Sequence, residues 1–220
     1  VILHAGSFSD RSVAGTVSPG GPLRRLLRDR LEYRNRDFDL TAHSPVPVFR
    51  ALALLRERRP EVRGRIEFRL AGRIPAAWRE VAASFGVAEA LKLTGPLLHA
   101  DAVREMRGAD LLFAPEIVRR SGGRVSCVSQ KVYEYLRTGS PVLSTGGPGD
   151  TRDLIREAEA GGSFTPDDAV AIAEFVARHV DHRATAPAPR ADVVARFDRR
   201  RLTERLAETF RAALEDRRRP

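Results

Sequence analysis

Short apolar runs that stop at a glycine or proline, each followed by a stretch with one apolar helical face, recur along most of this 220-residue chain. This alternation predicts parallel strands joined by crossover helices. Strands are expected over 1–5, 66–71, 90–94, 110–114 and 141–145, ending at Gly6, Gly72, Gly95, Pro115 and Gly146. Helices are expected over 51–59, 101–106 with Asp101 as its N-cap, 131–138 closed by Gly139, 151–159 and 167–179. A further helix starts at Pro75, where Trp78, Val81, Ala82 and Phe85 share one face. A short extended piece falls at 163–165. About five alternations in this span fit one doubly wound α/β domain over 1–183, with helices on both faces of the sheet.

Two segments stand outside the pattern. Connections in α/β units usually run about 2–6 residues, so 9–44 reads as a basic insertion carrying its own helix over 22–33. The tail, 184–220, opens with a loose Ala/Pro linker and continues as a C-terminal helix. In it Leu202, Leu206, Phe210 and Leu214 recur every four residues, so that stripe is expected to pack back on the fold or on a further domain.

These same two segments hold most of the charge. The chain is +9, with +4 from 24–36 and +4 from 190–220, leaving +1 for everything else. Of its 38 basic residues 36 are arginine. Aromatics make up 6% and do not interleave the arginine clusters as base-stacking platforms would, which argues against a nucleic-acid partner. Leucines 23, 26 and 27 beside Arg24, Arg25 and Arg28 would allow the insertion to touch anionic lipid, although a solvated helix docked on its own domain is the plainer reading. No apolar run approaches the roughly 20 residues of a membrane span. A single cysteine, Cys127, excludes an internal disulfide and suits a reducing compartment, so a cytoplasmic location is expected. The chain opens on Val1 inside a strand, and it is expected to be a piece of a longer protein.

In an open parallel sheet, ligands sit beyond the carboxyl ends of the strands, where helix N-termini and loop amides meet anions. The glycines at the strand ends suit close approach of a phosphate, and equally suit tight turns. Neither a Gly-x-Gly-x-x-Gly nor a Walker loop is present, which sets aside dinucleotide dehydrogenases and P-loop nucleotidases. Lys131 falls in the first turn of a helix, where its charge opposes the macrodipole unless an anion gathers there. Glu134, one turn on, faces the same side and has oxygens to accept two neighbouring hydroxyls, as on a ribose. The pair describes a nucleoside diphosphate site, or else a solvated i,i+3 helix pair. His4, His99, Cys127 and Trp78 read as structural residues, and no cluster with metal-ligand spacing appears, so no metal is expected.

The string Lys131-x-x-Glu134-Tyr135-Leu136-x-x-Gly139-x-Pro141-Val142 resembles a segment of the glycosyl transferases group 1 family, large and mostly retaining, of GT-B fold. The order of elements resembles that family's C-terminal domain, which is Rossmann-like and binds nucleotide sugars. His4-Ala-Gly-Ser-Phe, Phe68-Arg-Leu-Ala-Gly, Leu93-Thr-Gly and Ala109-Asp-Leu-Leu-Phe-Ala-Pro extend the likeness over nearly the whole chain except the insertion.

The resemblance implies a nucleoside diphosphate sugar as donor substrate, with Glu134 on its ribose and Gly6 and Ser7 lining the diphosphate pocket. Val128, Ser129 and Gln130 would face phosphate and sugar, and Arg73, Ile74 and Thr94 would border the base. Lys131, with Arg11, would stabilise the departing diphosphate. It also implies an N-terminal domain supplying the site for an acceptor, of unknown identity and often membrane-borne in such enzymes, which would place the enzyme peripherally at a membrane. Alone, this part is expected to bind nucleotide and turn over poorly.

Three positions depart from the family. Ser126 stands where many members have a second glutamate, eight places before the ribose-binding one, and Ser7 and Ser12 stand where many have an arginine and a lysine. These departures keep open a non-catalytic nucleotide-binding or regulatory α/β domain.

Overall fold

The computed structural model describes residues 1–8, 37–39, 41–181 and 188–216. The strands β1 (Ile2–Ala5), β3 (Phe68–Ala71), β4 (Leu91–Gly95), β5 (Leu111–Pro115), β7 (Val142–Thr145) and β8 (Gly161–Phe164) form one six-stranded sheet in the order β4-β3-β1-β5-β7-β8. Every pairing in it is parallel. Counted along this sheet, the sequence order is 3-2-1-4-5-6, so the chain winds outward from β1 in one direction and then from β5 in the other. Between β1 and β5 the winding reverses, and their carboxyl ends diverge into a crevice. A second, two-stranded antiparallel ribbon joins β2 (Phe38–Asp39) to β6 (Val118–Arg119).

Alternation along the strands explains the two-sided core. Ile2, Phe68, Leu70, Leu111, Phe113 and Leu143 face one layer, built from α1 (Val46–Arg58), α2 (Trp78–Ser84) and α6 (Ala169–Asp181). Leu3, Ala71, Leu112, Ala114 and Val142 face the other. That second layer contains α3 (His99–Gly108), α4 (Gln130–Thr138), α5 (Asp150–Glu157) and the short α7 (Ala191–Ala195). The doubly wound, Rossmann-like α/β reading therefore holds, with helices on both faces.

Several boundaries move for identifiable reasons. Helix α1 begins at Val46, five residues before its expected start, because Pro45 is its N-cap and Pro47 lies in its first turn. There a missing N–H costs nothing, so these prolines open the helix instead of breaking it. Leu98, not Asp101, is the N-cap of α3, which starts at His99. The extended piece expected at 163–165 overlaps the end of a full strand, β8, whose two leading glycines conceal it from any reading by β-propensity. The expected helix over 22–33 lies outside the described residues.

The tail divides in two. Val193 of α7 is buried in the α4 and α5 layer, Tyr133 and Phe197 rings lie 4.8 Å apart, and Arg196 forks onto Glu157 with two 2.7 Å hydrogen bonds. Beyond it, α8 (Arg199–Asp216) leaves Leu202, Leu206, Phe210 and Leu214 between 43% and 60% exposed. Among the described residues no helix is long and apolar enough to cross a membrane.

Candidate functional site

The carboxyl end of β1 and the start of α4 meet at the reversal point. Tyr135 fastens them together: its buried hydroxyl accepts from the Ala5 amide at 3.0 Å, and burial pushes the phenol's pKa above its ordinary value. Val132 and Leu136, one helical turn apart, anchor the same helix in the core, and it stops at Gly139 in the left-handed conformation. The apolar Val-x-x-Tyr-Leu face thus fixes where the polar positions of α4 point.

Lys131 extends from the first turn of α4 to Gly6. Were Gly6 to carry a Cβ, that atom would stand 3.3 Å from Lys131 Nζ and 3.0 Å from His4 Nε2. A side chain here would press on both groups, and the glycine leaves a gap walled by an ammonium and an imidazole. A second glycine holds the adjoining turn: Gly72, at φ +136°, lies so close to β1 that a Cβ would fall 1.7 Å from the Gly6 carbonyl oxygen. Any side chain at 72 would displace the end of β1.

Ser129 occupies the N-cap of α4 without capping it. Its hydroxyl donates instead to Glu116 Oε1 at 2.9 Å, so of the first-turn amides only that of Val132 finds an acceptor on the cap residue, the Ser129 carbonyl at 3.0 Å. Glu116 follows directly on β5 and is half-buried. Burial raises its pKa, opposed by the Ser129 hydroxyl and the Lys131 charge. Burial likewise lowers that of Lys131, opposed by Glu116. Two histidines complete the surroundings. His4 is buried, and His43, from the segment before α1, is held down to about 4, first by burial and then by Lys131. Lys131 thus stands at a helix start that has no side-chain cap, an arrangement that suits an anion.

The expected site residues fall into three groups. Gly6, Val128, Ser129, Gln130, Lys131 and Glu134 gather at the β1 end and the start of α4, with Ser7 exposed beside them and Gln130 Nε2 donating to Glu134 Oε1 at 3.5 Å. Arg73 is exposed after β3, Ile74 is half-buried next to it, and Thr94 sits in β4, two strands from β1, its hydroxyl 3.3 Å from the Gly95 carbonyl. Arg11 lies outside the described residues. Glu116 and His43 escaped the sequence reading; an acid immediately after a strand-ending proline was the available sign of the first, whereas His43 gave none.

The sequence profile of the family described as glycosyl transferases group 1 matches residues 45–182. The chain belongs to that family. No curated protein matches it. Among solved structures, HepE from Anabaena in complex with UDP superposes with a TM-score of 0.57 at 16% identity, over 94% of this chain and 54% of that one. Sucrose-phosphate synthase from Thermosynechococcus elongatus gives 0.59 at 14% identity, over 80% of this chain and 44% of its own. WaaG, a glycosyltransferase of lipopolysaccharide biosynthesis, gives 0.51 at 18%, over 82% and 47%. At such identities the likeness is one of fold, and this group 1 chain spans about half the length of those structures.

Proposed function

We propose that the chain is the donor-binding part of a glycosyltransferase that moves a sugar from a nucleoside diphosphate to an acceptor. The observation that carries this is Lys131 Nζ poised beside Gly6 at an uncapped helix start in the sheet's reversal crevice. The diphosphate would lie between Gly6 and the first-turn amides of α4, and the ribose on Glu134. As the bond from the anomeric carbon to the phosphate oxygen breaks, negative charge grows on the leaving diphosphate. Lys131 and the amides, fixed before the reaction, would stabilise that charge without reorganising. No metal enters this reading. HepE has been solved in complex with UDP and, in a second structure, with UDP-glucose, which supports a nucleotide sugar as the donor. Acceptor binding, and with it turnover, would need the part of the enzyme that this chain does not span, and the retaining outcome rests on the family.

The test is a thermal-shift panel. UDP, GDP or ADP should raise the melting temperature of the wild type, chelator or no chelator, and Glu134→Ala should abolish the rise. If none of the three moves the wild-type melt, the donor-site reading fails. Ser126, exposed where many members have a glutamate, favours a second reading, a domain that binds and does not catalyse. Hydrolysis of the donor by the enzyme extended through its acceptor half separates the two.

A further inference from the structure

His4 is fully buried at the end of β1, and its two ring nitrogens differ. Nδ1 lies 3.0 Å from the Phe113 carbonyl, which can accept and never donate, so Nδ1 carries the hydrogen. Nε2 is buried and, among the described residues, has no hydrogen-bond partner. Leaving such a nitrogen unpaired costs about 1–3 kcal/mol, and the ring is nonetheless held firmly. Phe8 stacks on it at 4.5 Å, and Phe113 meets its edge at 6.1 Å. Nε2 looks onto the gap at Gly6, across from Lys131 Nζ. An orphaned, immobilised nitrogen aimed at the space where the proposed diphosphate would lie is suited to be one of its ligands.

We propose that His4 is a ligand of the donor's diphosphate, taking up one proton from solvent at Nε2 as the anion binds and donating that N–H to a phosphate oxygen. The inference rests on the donor-site reading. Around the ring stand Lys131 from α4, His43 from the segment before α1 and, beyond Lys131, Glu116 after β5. In the chain by itself, burial above all, then Lys131 and His43, keep the imidazole neutral against the Phe113 hydrogen bond. A diphosphate brings negative charge that reverses this balance. Many members of the family carry an arginine and a lysine where this chain has Ser7 and Ser12; an imidazolium beside Lys131 would restore part of that missing charge.

Proton uptake on binding makes affinity rise as pH falls, by up to about tenfold per pH unit for one proton. The probe is UDP-glucose, whose diphosphate diester keeps the same charge from about pH 6 to about pH 8. Calorimetric titration of the wild type in two buffers of different ionisation heat counts the protons directly. The expected result is uptake approaching one proton, with tighter binding at the lower pH, lost in His4→Gln and kept in His43→Gln. Should His4→Gln fail to fold, the wild-type proton count and the nitrogen chemical shifts of His4 with and without UDP-glucose decide alone. Binding with no proton taken up, or uptake that His43→Gln removes, overturns the proposal and leaves the donor site standing. No binding at either pH overturns both.

Discussion

At the scale of single residues, the site is a small set of groups held away from their ordinary protonation. His4 and His43 both stay neutral in the folded chain although an unfolded histidine titrates near 6.5. Between that value and about 4, where His43 titrates in the folded chain, the unfolded chain binds more protons, so stability should fall as pH drops through this window, by up to about 1.4 kcal/mol per pH unit for His43, with His4 adding a loss of the same sign. Denaturant melts of the wild type and of His43→Gln over that range should show a shallower acid loss in the variant; equal slopes would contradict the assignment. Glu116 has the opposite sign. Its raised pKa means that ionising it weakens the native state as pH rises, so Glu116→Gln should leave stability at neutral pH unchanged or higher. The sequence displayed Lys131 and Glu134 because they share one helix face. It could not display His4, Glu116 and His43 as their neighbours, since only the winding of the sheet brings 4, 43, 116 and 131 together.

At the scale of elements, α4 and the end of β1 act as one unit. Tyr135→Phe removes the acceptor of the Ala5 amide from a well-packed ring, and a loss of about 1 kcal/mol in unfolding free energy is expected, together with weaker nucleotide binding. Gly72→Ala is expected to be harsher, because a methyl at φ +136° cannot coexist with the Gly6 carbonyl where it stands. Circular dichroism and a nucleotide titration would find that variant unfolded, or folded and unable to bind. Helix α4 was readable because capping glycine, apolar period and polar face agree. The early start of α1 and the strand β8 were not, since prolines and glycines signal breaks in isolation and acquire another meaning from their neighbours.

At the scale of the molecule, several of the described arginines are taken up in surface ion pairs. Arg59 forks onto Asp181, Arg124 bridges Asp150 and Asp153, and Arg196 pairs with Glu157, exposed pairs that contribute little each. The stripe on α8 touches no core, so Leu206→Ser with Phe210→Ser should change the unfolding free energy of this chain by less than about 0.5 kcal/mol, while reducing its uptake of an apolar-surface dye. The doubly wound plan was legible from the alternation of runs, because each strand must bury both faces; the exposure of the α8 stripe was not, since an apolar period of four shows a face and not what covers it. The account as a whole rests on one crevice, between β1 and β5. A crystal structure of the chain soaked with UDP tests it most directly. The account predicts diphosphate density beside Gly6 at the start of α4, within reach of Lys131, and ribose hydroxyls on Glu134; a nucleotide bound elsewhere on the molecule would contradict it.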